Sequence, residues 1–152
     1  MRVLVDANVM LRTAQHGHSQ HDSCRISLEM LDTAGVEICL VPQVLYEFWV
    51  VATRPANVNG LAMPFAQARK SIDRLANVYN LYRDDTGVFD HWHQLISAHE
   101  VQGKPAHDAR YVAAMLAHGI ETLVTLNTQD FTRYSDINLL SPEDILAGKL
   151  PN

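Results

Sequence analysis

Seven polar side chains stand where packing does not call for them: Asp6, Asn8, Glu47, His107, Asp108, Asn127 and Asp130. Val3, Leu4 and Val5 form a short apolar run that reads as a buried strand, and Asp6 ends it with a charge that a core does not tolerate unpaired. The carboxylate therefore belongs at the strand's exit, where open α/β sheets bind ligands, with the Asn8 amide beside it. Taken alone, the tripeptide favours a turn cap at Asp6. Glu47 is the single acid of an otherwise apolar helical stretch, PQVLYEFWVVATR. Such a carboxylate is exposed, paired or metal-bound; exposure is the commonest case, and Arg54 is too far along the helix for a standard ion pair. Asp108 lies in the first turn of a helix, where backbone N–H groups favour an anion for purely structural reasons. His107 beside it is placed to meet a phosphate or simply to begin the helix. Asn127 and Asp130 follow the apolar run Thr122–Leu126, a second polar group at a strand's exit.

The elements that must position these residues follow from periodicity and punctuation. DSCRISLEMLDTAG has helical spacing and ends at Gly35, Val36 to Val41 is a second strand, and Pro42 fits the first turn of the helix carrying Glu47. Arg54 and Pro55 stop that helix. Phe65 to Asn80 is an amphipathic helix whose Arg69, Lys70 and Arg74 form a solvated face. Leu81-Tyr82 is a weak strand, and Asp84-Asp85-Thr86 starts the helix VFDHWHQLISAHEV. A turn at Gln102–Pro105 leads to a helix beginning at Ala106-His107-Asp108 and ending at Gly119. The chain closes with a strand near Ile137 to Leu140 and a helix start at Ser141-Pro142-Glu143-Asp144. Alternating strands and helices of this kind build a three-layer α/β domain with a parallel sheet. Residues 1–152 are expected to form a single domain.

Composition narrows the class. The formal charge of −5 argues against a tight, non-specific nucleic-acid binder. If Asp6, Glu47, Asp108 and Asp130 share one site, 13 acids remain against 12 bases, and the rest of the surface is close to neutral. A polyanion is then compatible only as a transient substrate held by local bases and bound cations. No apolar stretch approaches the ~20 residues of a membrane span, and the run from Met1 to Asp6 is too short for a signal peptide. A soluble cytoplasmic protein is expected. Cys24 and Cys39 show no metal-ligand spacing and read as reduced core thiols. His16, His18 and His21 lack a visible fourth ligand for zinc and read as surface-loop residues.

Four acids on these elements could converge, and such a cluster has a definite chemistry. Carboxylates and water suit Mg²⁺ or Mn²⁺, and such clusters serve phosphodiester hydrolysis. The segments VLVDANVML, QVLYEFWVVATRP, HDARYVAAMLAHGI and LVTLNTQDF, in this order and in a chain of this length, resemble the PIN-domain ribonucleases. The resemblance is strongest to the VapC-type toxins of bacterial toxin–antitoxin pairs. It implies an α/β/α PIN-like fold with a mostly parallel central sheet and a metal-dependent endoribonuclease. Asp6, Glu47 and Asp108 would hold Mg²⁺ or Mn²⁺ and position the attacking water. Asn127 stands where many relatives carry Asp, so Asp130 is the candidate fourth catalytic acid, with Asn8, His107 and Asn127 as substrate-binding residues. The implied partners are RNA, a cognate antitoxin and a second copy of the chain, with no membrane. Other readings stay open at this point: a PIN-type RNA-processing nuclease without an antitoxin, a phosphatase using Asp6 as nucleophile, and a non-catalytic module docking through the helix around Phe48 and Trp49. The phosphatase would want Asp where Asn8 stands and a Lys near Thr125, and has neither.

Overall fold

β-Branched and apolar runs give short strands, buried in the middle of the sheet and more exposed at its edges, and the amphipathic segments between them give the helices that cover the sheet. The computed structural model describes residues 1–151. Within them the order is β1 (Arg2–Val5), α1 (Ala7–Thr13), α2 (His21–Thr33), β2 (Glu37–Leu40), α3 (Pro42–Thr53), α4 (Phe65–Val78), β3 (Asn80–Leu81), α5 (Thr86–Ala98), α6 (Pro105–His118), β4 (Thr122–Val124), β5 (Asn138–Leu140) and α7 (Pro142–Leu146). The strands lie in the order β3-β2-β1-β4-β5. Every pairing is parallel, so the sheet is wholly rather than mostly parallel. Leu4 pairs with Cys39 on one side and Leu123 on the other. With helices on both faces this is the three-layer α/β/α fold expected from the sequence.

The strand order fixes where a ligand can sit. From β1 the chain proceeds to β2 on one flank, whereas β4 is laid on the other, so the order reverses between β1 and β4. At such a switch point the connections leave to opposite sides and open a crevice beyond the strands' carboxyl ends. Asp6 follows β1 directly, and its N–H extends the ladder onto the Val124 carbonyl at 2.9 Å.

Several local expectations change. A helix, α1, follows Asp6, not merely a turn; Asp6 is its N-cap, accepting from the Asn8 N–H. Helix α6 begins at Pro105, one residue before the expected start, because proline suits the first helical position. His21 is not a surface-loop residue. It opens α2, is buried, and its Nδ1 lies 3.0 Å from the Arg12 carbonyl at the end of α1. That contact joins two helices and withdraws the ring from solvent. Both cysteines are free and buried, as expected. No described helix is long and apolar enough to cross a membrane.

The loop after α3 holds the end of the Glu47 helix in place. Leu61 and Met63 donate backbone bonds to the Val51 and Ala52 carbonyls, and Ala62 to that of Arg54, at 2.8–3.0 Å. This return is possible because residue 60 has no side chain: a Cβ there would lie 1.8 Å from the Arg54 carbonyl oxygen. Gly60→Ala is therefore expected to cost roughly 1–3 kcal/mol through forced backbone shifts. Gly17→Ala, with nothing within 4 Å of the added carbon, should stay within about 0.5 kcal/mol of wild type. Thermal or urea unfolding of the two variants checks the contrast.

Candidate active site

Asp6 leaves β1 into the crevice and remains only 7% exposed. One carboxylate oxygen, Oδ2, accepts from the Thr125 hydroxyl at 2.7 Å, and Oδ1 accepts from the Asn8 N–H at 3.4 Å. Thr125 follows β4, so the two strands flanking the switch point are joined through their first residues beyond the sheet. Asn8 tightens the same junction: its Nδ2 donates to the Thr125 hydroxyl at 3.2 Å and its Oδ1 accepts from the Leu126 N–H at 3.3 Å. The Asn8 amide is thus directed at the exit of β4. Asn127 is exposed, and its N–H donates to the same Thr125 oxygen at 3.1 Å.

Glu47 is half-buried on α3 and is held from two sides. The Tyr111 hydroxyl donates to Oε2 at 2.7 Å, and Gln43 Nε2 donates to Oε1 at 2.8 Å. Gln43 also donates to the His107 carbonyl at 2.9 Å, which ties α3 to the first turn of α6, and receives Arg110 Nη1 at 3.1 Å. Glu47 is therefore neither a solvent-facing charge nor an ion-pair partner of Arg54. Asp108 is half-buried, and its carboxylate accepts no hydrogen bond from the described residues. The helix-cap role finds no bond to support it. His107 and Asp130 are exposed, the latter in the short 3-10 turn Thr128–Phe131.

The acids are close enough to feel one another. Burial lifts the Asp6 carboxyl from its ordinary 3.8 to about 6; the charges of Glu47 and Asp108 add to the rise, and the Thr125 and Asn8 hydrogen bonds oppose it. Asp108 is raised first by burial, then by Asp130 and Glu47, while Lys104 and His107 pull it down. Asp130 thus acts more strongly on Asp108 than Glu47 does, which brings the fourth acid into the same field. The Tyr111 hydroxyl is pushed well above its usual range by burial and by Asp6 and Glu47. Among the described residues, no three Asp, Glu, His or Cys side chains are gathered closely enough to form a ready-made metal cage. Asp6 and Glu47 are anchored separately, to Thr125 and to Tyr111.

Three of these residues, Tyr111, Gln43 and Thr125, carry only faint signals as site residues in the sequence. Tyr111 reads there as core, yet it lies three residues after Asp108, on the same helix face. Gln43 lies four residues before Glu47, the spacing of a helical neighbour. Thr125 is a polar residue inside an apolar strand run, the only local hint of its task.

For Asp6 the linkage has a definite sign. A carboxyl raised in the folded state favours folding while protonated, fully so below pH 3.8, and loses that contribution as pH rises to about 6. From the shift between those two values, the ionised group costs the metal-free protein about 3 kcal/mol at neutral pH. Asp6→Asn is expected to gain on wild type in EDTA as pH rises from 4 to 7, because amide and acid start nearly alike and only the acid ionises. A stability difference independent of pH, measured by urea unfolding, would remove the burial argument.

No family model matches the chain, and no curated protein matches it. Solved structures do. A chain of VapBC2 from Rickettsia felis, crystallised with a DNA fragment from its promoter, superposes with a TM-score of 0.69 at 19% identity, over 93% of this chain and 98% of that one. VapBC-1 from nontypeable Haemophilus influenzae gives 0.69 at 13%, over 94% and 99%. VapC20 from Mycobacterium tuberculosis, described as a Sarcin-Ricin loop cleaving toxin, gives 0.58 at 18%, over 80% and 86%. Likeness at these identities speaks for architecture alone: the fold is the one that these VapBC and VapC structures share.

Proposed function

We propose that the chain is a metal-dependent endoribonuclease and the toxin of a toxin–antitoxin pair. The observation that carries the reading is Asp6: a carboxylate buried at the β1/β4 switch point, in the field of Glu47 and Asp108, with no cation among the described residues bonded to it. An acid that only caps a helix can do so in solvent or beside a base. This group is instead surrounded by like charge, and a divalent cation is the partner its hard oxygens suit. Asp6, Glu47 and Asp108 would hold Mg²⁺ or Mn²⁺, with Asp130 as a fourth acid. The bound ion supplies charge stabilisation on the phosphate and a more acidic water.

The chain's own residues set the stage for that chemistry. Thr125 and Asn8 fix the Asp6 carboxylate, and Tyr111 and Gln43 fix that of Glu47, so neither acid has to be ordered when substrate arrives. His107 is exposed beside Asp108 and offers a hydrogen-bonding contact to a phosphate, and Asn127 is exposed at the exit of β4. Solved neighbours include VapBC assemblies and a complex described as toxin–antitoxin from Klebsiella pneumoniae, which supports an antitoxin as partner. An inhibitor of this site meets concentrated negative charge and should insert Arg or Lys toward Asp6, Glu47 and Asp108. A homodimer fits the exposed Tyr46 and Val50, one turn apart on α3, and Phe65, which packs edge-on against Trp49 at 5.5 Å. The domain is proposed to act as a single unit in the cytoplasm.

Purified protein should cleave RNA with Mg²⁺ or Mn²⁺ and stop in EDTA. Asp108→Asn separates a site acid from a helix cap. If the residue is a cap, loss of its charge lowers stability by about 0.3–1 kcal/mol and leaves cleavage intact. If it belongs to the crowded site, the metal-free variant is as stable as wild type or more so, while cleavage and metal-induced stabilisation are lost. Thermal unfolding with and without metal, beside the cleavage assay, reads both. Undiminished cleavage in excess chelator would reject the metal mechanism.

A further inference from the structure

A second recess lies between α5 and α6, separate from the carboxylates. It encloses about 340 Å³ and is lined by Asp84, Asp85, Val88, Phe89, Trp92 and Arg110. Ligand sites run from roughly 300 to 1,000 Å³, so this one has room for a single ring system, not a chain. Its walls are mainly apolar. Val88 is buried, Phe89 is 64% exposed, and the Phe89 and Trp92 rings stand 6.0 Å apart with planes tilted by 36°. His93 stacks on Phe89 at 6.1 Å with planes 23° apart, so one side of the ring has a partner while the ring as a whole stays exposed to a further flat group.

The polar rim decides which part of a nucleotide would enter. Arg110 Nη2 is paired with Asp84 Oδ2 at 2.5 Å, and Asp85 Oδ1 caps α5 by accepting from the Gly87 N–H at 2.9 Å. Two carboxylates against one guanidinium leave the rim net negative, which repels phosphate. Each acid keeps one oxygen outside these bonds, able to accept from the ring or exocyclic N–H groups of a base. The recess is also mechanically continuous with the candidate active site. Trp92 Nε1 donates to the Ala106 carbonyl at 2.9 Å, immediately before His107 and Asp108. Arg110 reaches Gln43 Oε1, and Gln43 holds Glu47.

We propose that this recess is a base-stacking subsite, taking one unpaired nucleobase of the RNA strand whose backbone lies at the carboxylates. The inference rests on the ribonuclease reading of the neighbouring site and adds to it a place where the flanking sequence can be sensed. Unstacked bases are recognised on aromatic side chains with their edges hydrogen-bonded, and the combination of Phe89, Trp92 and free carboxylate oxygens provides both.

The test uses short single-stranded 2′-O-methyl oligoribonucleotides joined by methylphosphonate linkages, which are neutral and leave no 2′-OH to attack the phosphorus, with 2-aminopurine placed at successive positions. Quenching of the fluorescent base at one position, and an affinity falling by about five- to a hundredfold in Phe89→Ala, is expected. Phe89→Tyr, which keeps the stacking face, should restore it, and a strand abasic at the quenched position should bind like the alanine variant. Equal affinity of wild type and Phe89→Ala, or of the intact and abasic strands, would overturn the subsite. So would sedimentation showing a wild-type dimer that becomes a monomer in Phe89→Ala, since the ring would then be a protein interface. Because these strands cannot be cut, binding is decided independently of cleavage. Base-dependent binding without RNA hydrolysis would fault the nuclease assignment, whereas hydrolysis without base dependence would fault only the subsite.

Discussion

A carboxylate held nearly buried at the exit of β1 constrains the rest of this molecule. Asp6 is supported by the Thr125 hydroxyl, the Asn8 N–H and the N-terminus of α1, whose unpaired backbone donors favour an anion. Those supports require β1 and β4 to be neighbours in register, because Thr125 and Asp6 each follow the last ladder pair, Val5 with Val124. A one-residue slip would turn Thr125 away and leave the charge unpaired. Stability alone gives no reason for the arrangement. A capping Asp works as well in solvent, and burial beside Glu47 and Asp108 only adds cost. The cost is what a site for a cation would impose in its absence.

Much of this is legible locally. The apolar run ended by Asp6 marks the strand exit, Pro42 marks the start of α3, and Gly119 marks the left-handed end of α6, at φ +63. The Ser141–Asp144 pair forms the reciprocal capping box that its spacing advertises. Each of these is written within a few residues. The partners of the acids are not. Thr125 meets Asp6 across 119 positions and Tyr111 meets Glu47 across 64, and a buried Tyr looks the same in sequence whether its hydroxyl serves a carboxylate or a core contact. His21 misleads for a similar reason: a loop-like run of histidines and glycine hides the helix start that buries it. Helix α1 escapes a periodicity reading because seven residues are too few to display a period.

Asn127 and Asp130, the two candidates beyond β4, make different kinds of contact. Asn127 belongs to the Thr125 knot, through its backbone N–H, and helps shape the exit of β4. Asp130 enters as a charge, felt most directly at Asp108. A fourth acid reached through a turn rather than fixed at a strand end adjusts more easily than Asp6. That fits a cluster whose members repel one another and stand apart.

A line of polar contacts runs between the aromatic recess and the site acids. Asp84 holds Arg110, Arg110 holds Gln43, and Gln43 holds both Glu47 and the carbonyl of His107. The aromatic recess thus sits at one end of a chain whose other end is a site acid. Gln43 is the only member of that line joined to both α3 and α6 by its own amide, so its orientation is fixed by two helices at once. If Arg110 were drawn to a new partner, Gln43 would lose the acceptor contact on Oε1 while keeping the two donor contacts on Nε2. Glu47 would then stay in place but be more loosely held. The link between recess and carboxylates is therefore one of positioning, not of charge, because Asp84 already neutralises Arg110 before its guanidinium reaches the amide.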